Sequence, residues 1–375
     1  ASLGKVGNDR IKKIRFPYLS TVSTDYSSVT WPGSTVGESR VGANDLNWEE
    51  TTKMDIGVDL KMFNDKVELT ADIFKDKNKG IFQQRANIPE EAGFVTNPYT
   101  NIGGMESWGF DGNITFNHNF TKDFGMTVRG NWTFARNNVT YWEQSGVVYP
   151  YQSFVDVPYG VQRGLISLGL FKDQADINNS PIQTFSTVYP GDLKYKDQNG
   201  DNRIDELDVV PMGYNTICPE LFYSMGFDFE YKGLGINAQF QGAGHYTIQR
   251  SLSCFYAPLM NNQTISEHYL ENCWRSGKDN TDAIYPRLTT TESANNYRGN
   301  SVFMKNISFL KLRSAEIYYK LPESCIKSLR LREFKLFAKG MDLFSIDNVN
   351  ETDPEVIWST YPAQRSVHFG FDLAF

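Results

Sequence analysis

Residues 197–208 place oxygen-bearing side chains at intervals suited to a hard cation. Asp197, Asn199, Asp201, Asp205 and Asp208 occupy the first, third, fifth, ninth and twelfth places of a calcium-loop spacing. Arg203, at the seventh place, would offer its backbone carbonyl, and the apolar Ile204 would anchor the loop in a core. Asn202 stands where such loops carry glycine, and Asn tolerates the left-handed backbone required there. Asp208 replaces the longer bidentate Glu. No helical pattern frames the segment, so a free-standing loop holding Ca2+ is one reading. The other is a solvated acidic turn held by Asx hydrogen bonds.

Other reactive residues form no site of this kind. His118, His245, His268 and His368 are far apart in sequence and lack a nucleophile or carboxylate arrangement, and no pair of acids stands out as a glycosidase site, so no enzyme activity is expected. Cys218, Cys254, Cys273 and Cys325 have neither CxxC spacing nor histidines at zinc-site distances. Cys254 and Cys273 either pair within one loop or remain free thiols. Gly233, Gly235 and Ala238 mimic a dinucleotide fingerprint, but no helix follows them. Sequons such as Asn113, Asn131 and Asn306 fall within alternating segments, where Asn and Thr are simply the polar face. The runs at Tyr141, Trp142, Glu143 and Gln144 and at Tyr149, Pro150, Tyr151 and Gln152 either offer stacking platforms to sugars or peptides, or pack the loops together.

The elements that carry these residues are strands. Of 375 residues, 14% are aromatic, with 26 Phe and 20 Tyr. Mean hydropathy is nonetheless only -0.45, and no apolar run approaches the roughly 18 residues a membrane helix needs. Any membrane span must therefore be β. The net charge of -7 is spread without a basic stripe, which argues against nucleic acid as a partner.

Alternation with period two recurs along the chain. Ile56, Val58, Leu60 and Met62 oppose Asp55, Asp59 and Lys61; Val67, Leu69, Ala71 and Ile73 answer them across a turn at Asn64 and Asp65. Segments at 108–117 and 124–134 repeat the design, as do 221–231 and 234–241, then 315–321 and a return strand from about Leu329 to Phe344 across Pro322, Glu323 and Ser324. The last strand carries Val367, Phe369, Phe371, Leu373 and the terminal Phe375 on one face, with Ser366, His368, Gly370, Asp372 and Ala374 on the other. Carboxylates, Arg, Asn and Gln on the polar faces would not enter a dry core unpaired, so one face must be wet and the other meets lipid.

Short turns after residues 63, 120, 232 and 321 alternate with long connections over 7–47, 76–106, 138–213, 245–300 and 345–363. This is the rhythm of periplasmic turns and extracellular loops. The fold class expected is all-β, an antiparallel transmembrane β-barrel to which this chain contributes about ten strands, with long extracellular loops, one of them 138–213, in an outer membrane. A secreted β-rich calcium-binding adhesin or lectin is the alternative.

Six spaced motifs carry a family likeness. They are Val6 to Arg10 with Arg15 to Tyr18; Trp48 and Glu49 leading to Asp55 through Leu60; Pro190 through Asp197 with the loop behind it; Tyr285 to Leu288; Phe309 to Arg313; and Phe375. In this order the chain resembles the SusC/RagA-like family of TonB-dependent outer-membrane transporters. The resemblance implies that residues 1–375 are the carboxy-terminal strands of a 22-stranded barrel whose plug and TonB-interacting segment lie outside this sequence. It further implies import of oligosaccharides or peptides, a SusD-like surface lipoprotein as lid, and energy relayed from the TonB complex. Of the candidate residues, only the 197–208 loop matches a family motif with identifiable ligand chemistry.

Overall fold

A computed structural model describes residues 1–10, 14–28, 31–92, 94, 96–252, 254–326, 331–349, 352–355, 361 and 363–374. Ten strands form one sheet: β1 Ser2–Asn8, β2 Glu49–Met62, β3 Val67–Gln84, β4 Tyr99–Asn119, β5 Phe124–Tyr141, β6 Leu221–Tyr231, β7 Leu234–Gln249, β8 Met304–Lys320, β9 Glu333–Asp347 and β10 Ser366–Ala374. Each lies beside its predecessor, and β1 and β10 have one neighbour apiece. Among the described residues no helix is long and apolar enough to cross a membrane.

The strand count and the rhythm of connections are those expected, while several boundaries move. β3 continues past Ile73 to Gln84 and β4 begins at Tyr99, so the connection expected over 76–106 shrinks to 85–98. Polar ladders explain the difference: Lys53 meets Asp76 at 2.7 Å and Lys75 meets Glu106 at 3.1 Å, so pairing outlasts the apolar period that marked the strand. In the same way 138–213 becomes 142–220, 245–300 becomes 250–303, and 345–363 becomes 348–365. The connection expected over 7–47 spans 9–48 and contains a small hairpin, Thr21–Ser28 with Trp31–Arg40. The turn after Leu321 is longer than expected, holding a short helix at Glu323–Ile326 before β9 starts at Glu333. Leu329 and Phe375 lie outside the described residues.

Turn chemistry sets the register. Lys232 and Gly233, with φ of 49° and 84°, form the two-residue connection between β6 and β7. A side chain on Gly233 would strike the Lys320 carbonyl at 2.6 Å. From that turn Phe229 pairs with Ile236 and Phe227 with Ala238 on one face, while Asp228 pairs with Asn237 on the other.

The chain folds as two compact units, Ala1–Gly57 with Asp72–Phe110 and Ala135–Tyr159, and Val58–Ala71 with Asp111–Phe134 and Gly160–Phe375. The first exposes Leu3, Met54, Ile56, Ile73, Trp108 and Phe110 from its strands. In the second, Val367, Phe369 and Phe371 are 59%, 83% and 62% exposed, and Met225, Phe229, Ile236, Ile317 and Leu336 are also open. A soluble core would enclose these rows. Aromatic rings gather at the short-turn end, where Phe120 stacks on Phe124 at 5.1 Å and His118 abuts Phe120 at 4.5 Å.

Introducing Phe371→Asp on this open face costs up to about 3 kcal/mol at mid-membrane depth and less near the interfaces. The expected outcome is reduced assembly in the outer-membrane fraction of cells carrying the full-length protein. Normal levels would place Phe371 away from lipid.

Candidate functional site

The protein-like core of this chain is built from its loops. Within 160–303, Ser167–Leu170 pairs with Leu193–Tyr195, Val161–Gly164 with Val210–Asn215, and Ile182–Gln183 with Arg203–Ile204. Leu193, Tyr195 and Ile204 of these strands, with Leu165 just past Gly164, pack with Tyr269, Cys273, Tyr285 and Phe303 from the next connection. Tyr269 stacks on Tyr285 at 4.4 Å, and burial pushes the phenols of Tyr195 and Tyr269 well above their usual range. Cys273 is buried and all four cysteines are free thiols.

A polar network pins the two connections together. Asp192, wholly buried, accepts from Arg287 Nε at 2.7 Å, Asn296 Nδ2 at 2.8 Å and the Tyr189 backbone at 2.8 Å. Gln183 donates to Asn295 at 2.7 Å and accepts from the Tyr195 backbone at 2.7 Å. Asn300 donates to the Tyr195 hydroxyl at 3.2 Å. Asn295, Asn296 and Asn300 lie in a run of Ser, Asn and Gly that has the composition of any surface loop, so the sequence does not single them out. The paired amide at 295 and 296 was the only signal, and nothing in the sequence named its partner.

The 197–208 loop hangs from this core by Ile204, which is fully buried as its anchoring place requires. Its carboxylates turn to the backbone. Asp197 accepts from Gly200 N at 2.6 Å and Asn202 N at 2.8 Å; Asp201 accepts from Arg203 N at 2.8 Å; Asp205 accepts from Leu207 N at 2.8 Å; Asp208 accepts from Gln198 N at 2.7 Å and Asp205 N at 2.9 Å. Asn199 accepts from Asp201 N at 3.0 Å, and Asn202 takes the left-handed backbone with φ of 63°. Among the described residues no three His, Cys, Asp or Glu side chains converge to hold a metal. As arranged, the side chains form a hydrogen-bonded Asx turn.

The sheet face opposite the apolar rows carries linked charges. In the second unit Arg129 on β5 meets Asp228 on β6, which also takes Asn237 on β7. Glu230 accepts from Tyr318 and Lys320 of β8 at 2.8 Å each, and Lys335 of β9 bridges Glu316 at 2.6 Å and Asp372 of β10 at 3.8 Å. Pockets of about 520 and 330 Å³ open along this wall, both touching Tyr318. In the first unit, the loop after β5 is fixed by Glu143, which accepts from Arg85 at 2.6 Å and Asn87 N at 3.0 Å. Burial pushes that carboxyl up, but Arg85 and the backbone donors outweigh it and hold it below the usual range. Tyr149 and Tyr151 stack on each other at 5.4 Å, and Trp142 tilts against Tyr159 at 6.4 Å, so these rings pack among themselves.

An alternating sheet with one open apolar face and one wet, charged face matches a known sequence family. The profile described as TonB dependent receptor-like, beta-barrel covers residues 12–250. The chain belongs to this family. Its place is accordingly the outer membrane. The TonB-dependent receptor P3 of Formosa agariphila is 26% identical over 99% of this chain and 37% of its own length. The TonB-dependent receptor SusC of Bacteroides thetaiotaomicron is 22% identical over 96% of this chain and 36% of its own. In fold, the chain superposes on a structure described as the RagAB peptide transporter with a TM-score of 0.71 at 18% identity, covering 100% of this chain and 40% of that one. This TonB-dependent receptor chain thus spans about two fifths of the length of such relatives.

Two outcomes are expected for the loop assembly. Arg287→Ala strands the buried Asp192 carboxylate at a cost on the order of 3 kcal/mol, so protease sites within 142–220 and 250–303 should open while the strands stay protected; an unchanged digest would show that Arg287 is dispensable. Chelation with EDTA should leave cleavage of the 197–208 loop unaltered, because its own backbone satisfies the carboxylates. Chelator-dependent cleavage there would assign the loop to a bound cation.

Proposed function

We propose that this chain is the barrel-forming portion of a TonB-dependent importer that takes up oligosaccharides or peptides. The observation that carries the reading is the two-faced sheet: apolar rows open to their surroundings on one side, linked charges on the other, topped by a packed loop assembly. A wall of this kind separates hydrocarbon from an aqueous path. The edges at β1 and β10, each with one neighbour, would pair with further strands, since an unpaired edge is not tolerated in lipid.

The loop assembly is where cargo and a SusD-like lipoprotein would be met, and TonB would supply the energy through a plug. A similar structure described as a peptide transporter supports the peptide class, and the oligosaccharide class rests on the resemblance to the SusC/RagA-like family. No bond chemistry is assigned to this chain: the wet-face acids named above are engaged in ion pairs, His118 lies among Phe rings and His368 bonds Ser366 at 3.0 Å. Its part is binding and passage.

The test compares cells with and without the full-length receptor for depletion of labelled oligosaccharide and peptide mixtures from the medium. One class should be consumed only when receptor, TonB and proton-motive force are all intact, and a surface lipoprotein should co-purify in mild detergent. Equal depletion of both classes by the deletion strain would sink the importer reading.

A further inference from the structure

The turn between β6 and β7 is pinned from both sides. Lys232 N donates to the Asp123 carbonyl of the turn between β4 and β5 at 2.9 Å, and the Gly233 carbonyl accepts from Lys320 N of β8 at 2.8 Å. With both central residues left-handed, the tip is held by its two neighbours, and the Lys232 side chain lies back over the residue before it. Its Nζ is 5.4 Å from the centroid of the Tyr231 ring, on the ring face.

That ring belongs to the apolar rows. Tyr231 pairs with Phe124 of β5 and with Leu234 of β7, and Leu234 pairs with Tyr319 of β8, so one rank of side chains crosses four strands. Tyr231, Leu234 and Tyr319 are all exposed, and Phe124 meets Tyr231 edge to face at 6.3 Å. The acids of this end turn the other way. Asp123, Asp228 and Glu230 line the smaller of the two wet-wall pockets together with Lys122, and Glu230 is engaged by Lys320. Among the described residues no carboxylate lies within ion-pair range of Lys232. The edge of the wall thus holds one exposed cation on its lipid side, set on an aromatic ring and without an acid of its own.

We propose that Lys232 and the Tyr231 rank form a docking site for an anionic phospholipid, with the headgroup phosphate on the Lys232 ammonium and the acyl chains along Phe229, Leu234 and Ile236. The rank is continuous with rows that face hydrocarbon, so acyl chains reach it without leaving their medium. An ammonium on a flexible stem at the membrane edge is drawn to anionic headgroups, and here no protein carboxylate competes for it. The Tyr231 ring keeps the ammonium at the level of those headgroups through cation–π attraction. A soluble phosphate would match the charge and leave the apolar rank unused. This inference rests on the lipid-facing wall and not on the importer reading.

Native mass spectrometry of the delipidated full-length receptor in mild detergent tests the site. Phosphatidylglycerol should bind more tightly than phosphatidylethanolamine, and Lys232→Asn should weaken the first phosphatidylglycerol roughly fivefold. Asparagine tolerates the left-handed backbone of this turn, so the charge is removed while the hairpin is kept. Lys232→Arg should bind as the unmodified receptor does. Tyr231→Leu leaves the rank apolar and should weaken phosphatidylglycerol roughly twofold through the lost cation–π contact. Glycerol phosphate in excess should leave the first lipid in place; displacement by it would reassign Lys232 to a soluble phosphate and overturn the lipid site. Equal binding of the two lipids, or unchanged phosphatidylglycerol affinity in Lys232→Asn, would overturn it as well. Should Lys232→Asn fail to assemble, Tyr231→Leu decides alone, and unchanged affinity there would count as the same refutation.

Discussion

The constraint on which everything else depends is that a strand must satisfy its backbone sideways while its side chains meet two different solvents. Pairing of neighbours removes the N–H and C=O groups from hydrocarbon, and alternation then assigns each residue to lipid or to water. The charges on the wet wall follow from this. Exposed pairs such as Lys61 with Glu68 at 2.9 Å contribute little stability each. Paired across strands, as Glu230 with Lys320 and Arg129 with Asp228 are, they nevertheless offset one another, so that neither charge of a pair sits bare beside the apolar rows.

A wall with one face in lipid and one in water has no protein interior, and this explains where the core went. Fully buried side chains concentrate at Leu165, Leu193, Tyr195, Ile204, Tyr269 and Phe303, all but Phe303 well inside connections and that one just before β8. The segments that are loops by topology are therefore the globular part by packing. Asp192, Gln183, Asn295, Asn296 and Asn300 do inside that body what a ladder does in a sheet, satisfying irregular backbone that would otherwise be buried without partners.

Much of the wall was legible in the sequence because period two is a local signal. Val367, Phe369 and Phe371 declare their face without knowledge of any neighbour. Strand length was less legible: beyond Ile73 and before Trp108 the outward ends of β3 and β4 carry charged and amide residues on both faces with apolar ones only scattered among them, so pairing persists where hydropathy has no period. The loop core was the least legible part. Gln183 meets Asn295, and Asp192 meets Arg287, across about a hundred residues of chain. No spacing rule reaches that far. The 197–208 spacing was legible as a pattern of oxygens, and one pattern serves a cation loop and an Asx turn alike.

Bulges reconcile the two most contradictory stretches of the wall. In β8, Ile317 and Tyr319 face lipid, and strict alternation carried backward would put Arg313 and Lys311 in lipid as well. The sequence alone therefore holds a conflict that only an inserted residue resolves. The ladder shows the insertion: register shifts between Leu312 and Ser314 against β9, and at the same place against β7. Above the shift the odd residues Lys311 and Arg313 turn to the wet side; below it the even residues Glu316, Tyr318 and Lys320 do. Asp342, opposite the shift, takes a left-handed backbone with φ of 51°, at a cost of about 1 kcal/mol, and its carboxylate meets Arg313. A second shift lies between Ala243 and Tyr246 of β7, where His245 adopts φ of 51°. His245 stacks on Tyr214 from the connection that precedes β6 and sits 3.6 Å from buried Glu220. Both insertions fall where a strand leaves the membrane wall for the loop body, because there the side chains must stop obeying lipid and start serving the core above.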